Sequence, residues 1–170
     1  TVLAPLFSNT PAFMNTQLFF DPVNPALNNY WHRDSQYDMT LAQQEAALGG
    51  NRVLHLRVAL TDEPGIELIP GTHTRWDCEE ELDVRLERNG KRNHHALETG
   101  ITFPLKAGDA LVFSAHMIHR GHYGQDRRVL DILYCDNKPE LLKYRSTSCL
   151  PTQDMLAKMD WPEPFEIESI

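Results

Sequence analysis

Cysteine, positive charge and long apolar runs are all scarce in this sequence. Its 170 residues include three cysteines. Cys78, Cys135 and Cys149 are odd in number and lack the spacing of a metal cluster, so reduced, structural thiols are expected. Lysine and arginine number 16 against 24 acidic residues, giving a net charge of −8. That balance argues against nucleic acid as a partner, because neutralising phosphates needs clustered cations. No apolar run approaches the ~20 residues of a membrane span. No basic n-region with an apolar h-region marks a signal peptide. The expectation is a cytoplasmic protein with no membrane partner. Repeats, low-complexity tracts and linkers are also lacking, so residues 1–170 read as one domain. The chain opens at Thr1 in sequence that is already patterned, and an N-terminal portion is expected to be missing or processed away.

Apolar residues make up 41% of the chain, enough for a substantial core. Eleven prolines and nine glycines punctuate short apolar runs, the mark of many strands and turns. Met14–Asp21 reads as a strand stopped by Pro22, with Asn15, Gln17 and Phe19 on one face. Thr40–Leu48 is the clearest helix, with Thr40 as N-cap and Gly49-Gly50 as the stop. Val53–Leu60 alternates: Leu54, Leu56, Val58 and Leu60 face one way, His55 and Arg57 the other. Gly65–Pro70, Phe103–Leu105, Ala110–Phe113 and Arg128–Cys135 read as further strands. The charged stretch Trp76–His95 reads as an exposed excursion of helix and loop. Six to eight short strands with helix confined to connections predict an all-β barrel or sandwich.

Within that pattern, YWHRDSQYD places His32 and Asp34 two residues apart. Residues i and i+2 of a strand share a face, with a backbone separation of about 6.5–7 Å, so both side chains can converge on one ion. GDALVFSAHMIHRG then supplies a third ligand in His119, with His116 and His122 as competitors. Two histidines and a carboxylate in this order are the sequence form of the facial triad that holds non-haem Fe(II). An H-x-D tripeptide is common by chance, and Arg33 between the ligands reads equally well as a solvated charge. The weight lies in the ordered neighbours: Trp31, then PGTH at 70–73, Gly108-Asp109, His119 and Arg127-Arg128.

This ordered set resembles the phytanoyl-CoA dioxygenase family of Fe(II)- and 2-oxoglutarate-dependent oxygenases. WHRD at 31–34, VLHLRVALTD, GIELIPGTH at 65–73, KAGDALVFSAHMIHRG at 106–121 and RRVLDILY at 127–134 carry the resemblance, which covers about residues 14–135. It implies a double-stranded β-helix, the jelly roll of the cupins. It implies Fe(II) on His32, Asp34 and His119, with His119 favoured over His116 and His122 by its distance from Asp109. It also implies an arginine, leading the strand after the distal histidine, that holds the far carboxylate of 2-oxoglutarate. An arginine suits that task because its planar fork pairs with carboxylate bidentately. Counting back from Tyr134 favours Arg127. Strand parity favours Arg128, which shares a face with Leu130, Ile132 and Tyr134, expected to be the buried, inward face. Gln17 is a further candidate contact to the cosubstrate.

The chain departs from the family where Gly121 replaces a small hydroxyl residue two positions after His119. Tyr123 or Thr102 could supply an equivalent hydroxyl. Trp31 and Tyr37 flank the triad and could wall a substrate pocket or pack the core. The implied reaction uses dioxygen to hydroxylate a small-molecule substrate. Asp34 favours hydroxylation over halogenation, because related halogenases replace that carboxylate with a small residue. Two alternatives keep the same fold: a cupin-type metalloenzyme that uses no 2-oxo acid, and a non-catalytic metal- or ligand-binding protein. The oligomeric state and the substrate are not legible, since the loops that line such pockets vary most.

Overall fold

Seven β-strands carry the fold in the computed structural model, which describes residues 3–166. They are β1 (Ala12–Phe20), β2 (Val53–Ala59), β3 (Glu63–Leu68), β4 (Ile101–Leu105), β5 (Ala110–Ser114), β6 (His119–Gly121) and β7 (Arg128–Cys135). Two helices of seven residues, α1 (Leu41–Ala47) and α2 (Glu79–Arg85), lie in the connections. A four-stranded sheet runs β1-β7-β2-β5 and a three-stranded sheet runs β4-β3-β6. All pairs are antiparallel. His32 adds one further rung beside His119 at the edge of the smaller sheet. This is the double-stranded β-helix that the resemblance implies, and it fits the all-β fold that the strand pattern predicts.

Local sequence accounts for the element ends. Thr40 caps α1 by accepting from the Gln43 N–H, and Gly49 at φ +70° follows the helix. The strand expected at 65–70 begins two residues earlier, because Glu63–Leu68 pairs with β4 across a register shift at Gly65. Gly65 has φ +98°, and a Cβ there would lie 1.8 Å from the Phe103 carbonyl oxygen. Only glycine lets the two backbones approach so closely.

The larger sheet is apolar on its outer face. Leu54, Leu56, Val112 and Ile132 pack there against Leu3, Phe7, Leu150 and Phe165. Phe165 stacks on Phe13 at a centroid distance of 4.9 Å. Arg145 fastens the segment after β7 to β1 through the Phe13 carbonyl at 2.7 Å. The inner face holds polar and charged side chains: His55, Arg57 and Asp131 are all buried. The expectation that Leu130, Ile132 and Tyr134 mark the inward face of β7 is therefore corrected. Val129, Asp131 and Leu133 point inward, and the apolar set points outward under a cover of its own.

The stretch 76–95 is also less exposed than its charge suggests. Asp77, Glu81, Val84 and Arg85 are buried, and Val84 packs with Leu97, Ile69 and Ile118 around Trp31.

Gly65→Ala places a Cβ against the Phe103 carbonyl in a left-handed backbone. It should destabilise the fold by about 2 kcal/mol or more, read as a lower midpoint in denaturant unfolding. An unchanged midpoint would mean that β3 and β4 separate easily at this point.

Candidate metal centre

Two short stretches of backbone bring the site together. The main chains of His32 and His119 exchange both hydrogen bonds, at 3.0 and 2.9 Å, and Asp34 N–H donates to the Ala115 carbonyl at 3.1 Å. Trp31, fully buried, fixes the residue before His32: its indole N–H donates to the His95 carbonyl at 3.0 Å, and Arg120 lies over its ring at 4.4 Å. Trp31 thus belongs to the core, while Tyr37 lines the cavity.

One ligand atom from each of His32, Asp34 and His119 lies within 4.8 Å of the other two. The His32 Nδ1 contacts the Tyr30 carbonyl at 3.1 Å and the His119 Nδ1 contacts the Met117 carbonyl at 2.8 Å. A carbonyl only accepts, so each Nδ1 carries a proton, and Nε2 is the nitrogen that each ring turns towards Asp34. Those Nε2 atoms stand 3.7 and 3.4 Å from Asp34 Oδ1. Two imidazole nitrogens and a carboxylate oxygen converging so closely are a donor set that fits a metal ion. The outer hydrogen bonds are the kind that orient imidazole ligands.

Charge states agree with that reading. Burial, reinforced by the nearby His119, pushes His32 down to about 3, leaving it neutral at pH 7. Burial works to raise the Asp34 carboxyl, but contacts from His119 and His55 outweigh it and hold Asp34 well below the usual carboxylate range. His55 was not among the expected site residues. Its Nε2 donates to Asp34 Oδ2 at 2.8 Å and its Nδ1 to Asp131 Oδ2 at 3.2 Å. Burial opposes a charge on His55, yet the bonds to Asp131 and Asp34 raise it to about 9. With Oδ2 occupied by His55, Asp34 is left with Oδ1 to offer the histidine pair.

The network continues inward. Arg57 donates to Asp131 at 3.3 Å and makes a two-pronged pair with Glu63 at 3.1 and 2.9 Å. The signal for this network was present in the strand as His55 and Arg57 on one face, but their direction depends on the sheet.

Of the two competing arginines, Arg127 is 5% exposed and lines the cavity, whereas the Arg128 side chain is 54% exposed and pairs with Asp126. Arg127 donates to the carbonyls of His122 and Phe20 at 2.9 and 3.2 Å. Its Nε is buried without a hydrogen-bond partner, and Asp21 is the carboxylate beside it, at 3.5 Å. A buried guanidinium with an unsatisfied donor fits an anionic group from outside. Gly121 makes room for it, since a Cβ there would lie 2.8 Å from the Arg127 Nη1.

Gln17 lines the same cavity from β1, opposite Asp131 in register, and Tyr123 lies beneath Arg127 at 4.6 Å. Thr102 instead meets His122 at 3.4 Å, and His122 also contacts Asn29. The His116 Nδ1 is buried without a partner, and neither His116 nor His122 is part of the three-ligand group.

The sequence profile of the Phytanoyl-CoA dioxygenase (PhyH) family matches residues 3–129, and the chain belongs to that family. Its fold is also that of several solved structures. One is the nickel complex of the non-heme monooxygenase ThoJ, at 21% identity over 79% of this chain and 48% of that one, with a TM-score of 0.52. Another is EctD from S. alaskensis with 2-oxoglutarate and 5-hydroxyectoine, at 18% identity over 75% and 45%, TM-score 0.52. EvdMO1 matches at 18% identity over 81% and 30%, TM-score 0.53. The chain thus spans at most about half of these structures. No curated protein sequence matches it. Among the described residues no helix is long and apolar enough to cross a membrane.

The two perturbed histidines each add a pH-dependent contribution to the stability of the metal-free protein. His32, lowered to about 3, adds stability above its unfolded value of 6.5 that is lost as pH falls towards 3. His55, raised to about 9, adds stability that is complete below 6.5 and lost as pH rises through 9. In denaturant unfolding of chelator-treated protein, wild type should lose stability between pH 6.5 and 9 relative to His55→Gln. In His55→Gln the fall on the alkaline side, between pH 6.5 and 9, should flatten. An equally steep alkaline fall in that variant would refute the assignment.

Proposed function

We propose that this chain is an Fe(II)- and 2-oxoglutarate-dependent dioxygenase that hydroxylates a small-molecule substrate. His32, Asp34 and His119 would hold the metal, and Arg127 would hold the far carboxylate of the cosubstrate, with Gln17 as a further contact. The observation that carries this reading is the convergence of three ligand atoms within 4.8 Å, both imidazoles turned by backbone carbonyls to present Nε2. Membership of the PhyH family supports the identity of metal and cosubstrate.

Bound Fe(II) and the 2-oxo acid would supply dioxygen activation and oxidation of a substrate C–H bond. The chain's own part is binding and placement. Asp34, Glu63 and Asp131 are paired with His55 and Arg57, and Arg127 lies beside Asp21. The cavity, about 390 Å³ and lined by Phe19, Asn29, Tyr30 and Tyr37 among others, lies in the range of small-molecule sites, roughly 300–1,000 Å³. Asp34 as a third ligand supports hydroxylation over halogenation.

Anaerobic titration with Fe(II) and then 2-oxoglutarate should raise a weak visible charge-transfer band. His32→Ala, Asp34→Ala and His119→Ala should each abolish stoichiometric Fe(II) binding, while His116→Ala and His122→Ala retain it. Arg127→Ala should keep the metal and weaken 2-oxoglutarate binding by about 2–5 kcal/mol, the usual consequence of losing a buried charged pair. Arg128→Ala should leave both unchanged. Iron-dependent succinate release that N-oxalylglycine blocks is the corresponding turnover assay. Iron binding with neither band nor succinate would favour the metal-binding alternatives.

A further inference from the structure

Arg33 stands between two proposed metal ligands, yet its side chain serves neither cavity nor solvent. The residue is 0% exposed. Its backbone is extended, at φ −113° and ψ 141°, so its side chain leaves on the face opposite to His32 and Asp34. Five N–H donors are available to a guanidinium, and all five are used. Nε and one Nη2 proton go to Asp77 Oδ1 at 2.9 and 2.7 Å. The other Nη2 proton goes to the Arg75 carbonyl at 3.2 Å, and Nη1 goes to the carbonyls of Thr72 and His116.

Those acceptors are informative by position. His116 lies three residues before His119, in the turn that joins β5 to β6. Thr72 grips the same turn, its hydroxyl accepting the Ile118 N–H at 2.9 Å. The Asp77 carboxylate is itself fixed by Arg85 Nε at 2.7 Å. Arg85 Nη1 in turn reaches Gln36 and Gln44 at 3.0 Å each. Gln36 lies in the 3-10 turn that starts at Asp34. The chain of bonds therefore begins beside His32, clasps the approach to His119 and returns to the residues after Asp34.

We propose that Arg33 is the positioning residue of the metal centre: braced by Asp77, it sets the spacing between the segment bearing His32 and Asp34 and the segment bearing His119. This inference rests on the metal-binding reading above. A buried ion pair adds little net stability compared with a well-packed apolar pair, but a fully bonded guanidinium fixes the distances between everything it touches. Removing it leaves all three ligands in the chain and loosens their mutual geometry. Supporting groups around metal ligands typically change affinity by about 10–100-fold when lost.

The test is Co(II) titration of the purified chain, followed by its visible absorption, with thermal unfolding recorded for each variant. Wild type should bind one Co(II). Arg33→Gln and Asp77→Asn should bind it roughly 10–100-fold more weakly with an altered absorption band, measured well below their unfolding temperatures. Arg33→Lys keeps the charge but not the fork, should fold where the other two do not, and should weaken binding by a smaller factor. Phe7→Ala, in the cluster on the outer face of the larger sheet, should lower the unfolding temperature without changing affinity or spectrum. If Arg33→Lys and every folded variant at 33 and 77 bind Co(II) as wild type does, however unstable, the residue is merely structural and the proposal is overturned. A wild type that binds no Co(II) removes the metal-binding reading itself, and this inference with it.

Discussion

Two hydrogen bonds exchanged between the main chains of His32 and His119 hold the two halves of this site together. The residues are far apart in sequence, and the segment around His32 contributes a single rung to the smaller sheet. Everything else about the centre presupposes that rung. It sets the two imidazoles 4.2 Å apart, centroid to centroid. It places the Ala115 carbonyl where Asp34 N–H can reach it. It also brings the turn after β5 within reach of the Arg33 guanidinium. One rung of backbone pairing is weak by itself, so the buried Trp31 on one side and the Arg33–Asp77 pair on the other account for its definition.

The fold turns its polar residues inward along two neighbouring strands. Arg57 on β2 lies directly opposite Asp131 on β7, and His55 joins Asp131 to Asp34. Such an arrangement departs from the usual economy of a core, where buried charge is costly unless paired and hydrogen-bonded. Here the charges are paired, and the apolar face of the same sheet is covered from outside by Leu3, Phe7, Leu150 and Phe165. Departures of this kind concentrate at functional sites.

Much of the architecture was legible in the sequence because the signals are local. Alternation, the Thr40 cap, the glycine stops and the ordered H-x-D, PGTH, GD and HMIH motifs each depend on few residues. What escaped depends on pairing across the sheet. The direction of His55 and Arg57 is decided by β7, which no short window reveals. Arg128 shares the apolar face of β7, but that face points outward because segments from both ends of the described chain cover it. Arg33 read as a candidate solvated charge because its partner, Asp77, lies 44 residues away in a stretch whose charge suggested exposure. The family resemblance supplied the choice of His119, and the structure places that residue, not His116 or His122, beside Asp34.

One ion at one place is the central requirement of this site. Crystals grown anaerobically with Mn(II) and 2-oxoglutarate, measured for anomalous scattering of the metal, locate it directly. A single strong peak bounded by His32 Nε2, Asp34 Oδ1 and His119 Nε2, with the far carboxylate of the 2-oxo acid against Arg127, is the predicted result. A peak at any other group of side chains, or none at saturating metal, would contradict it.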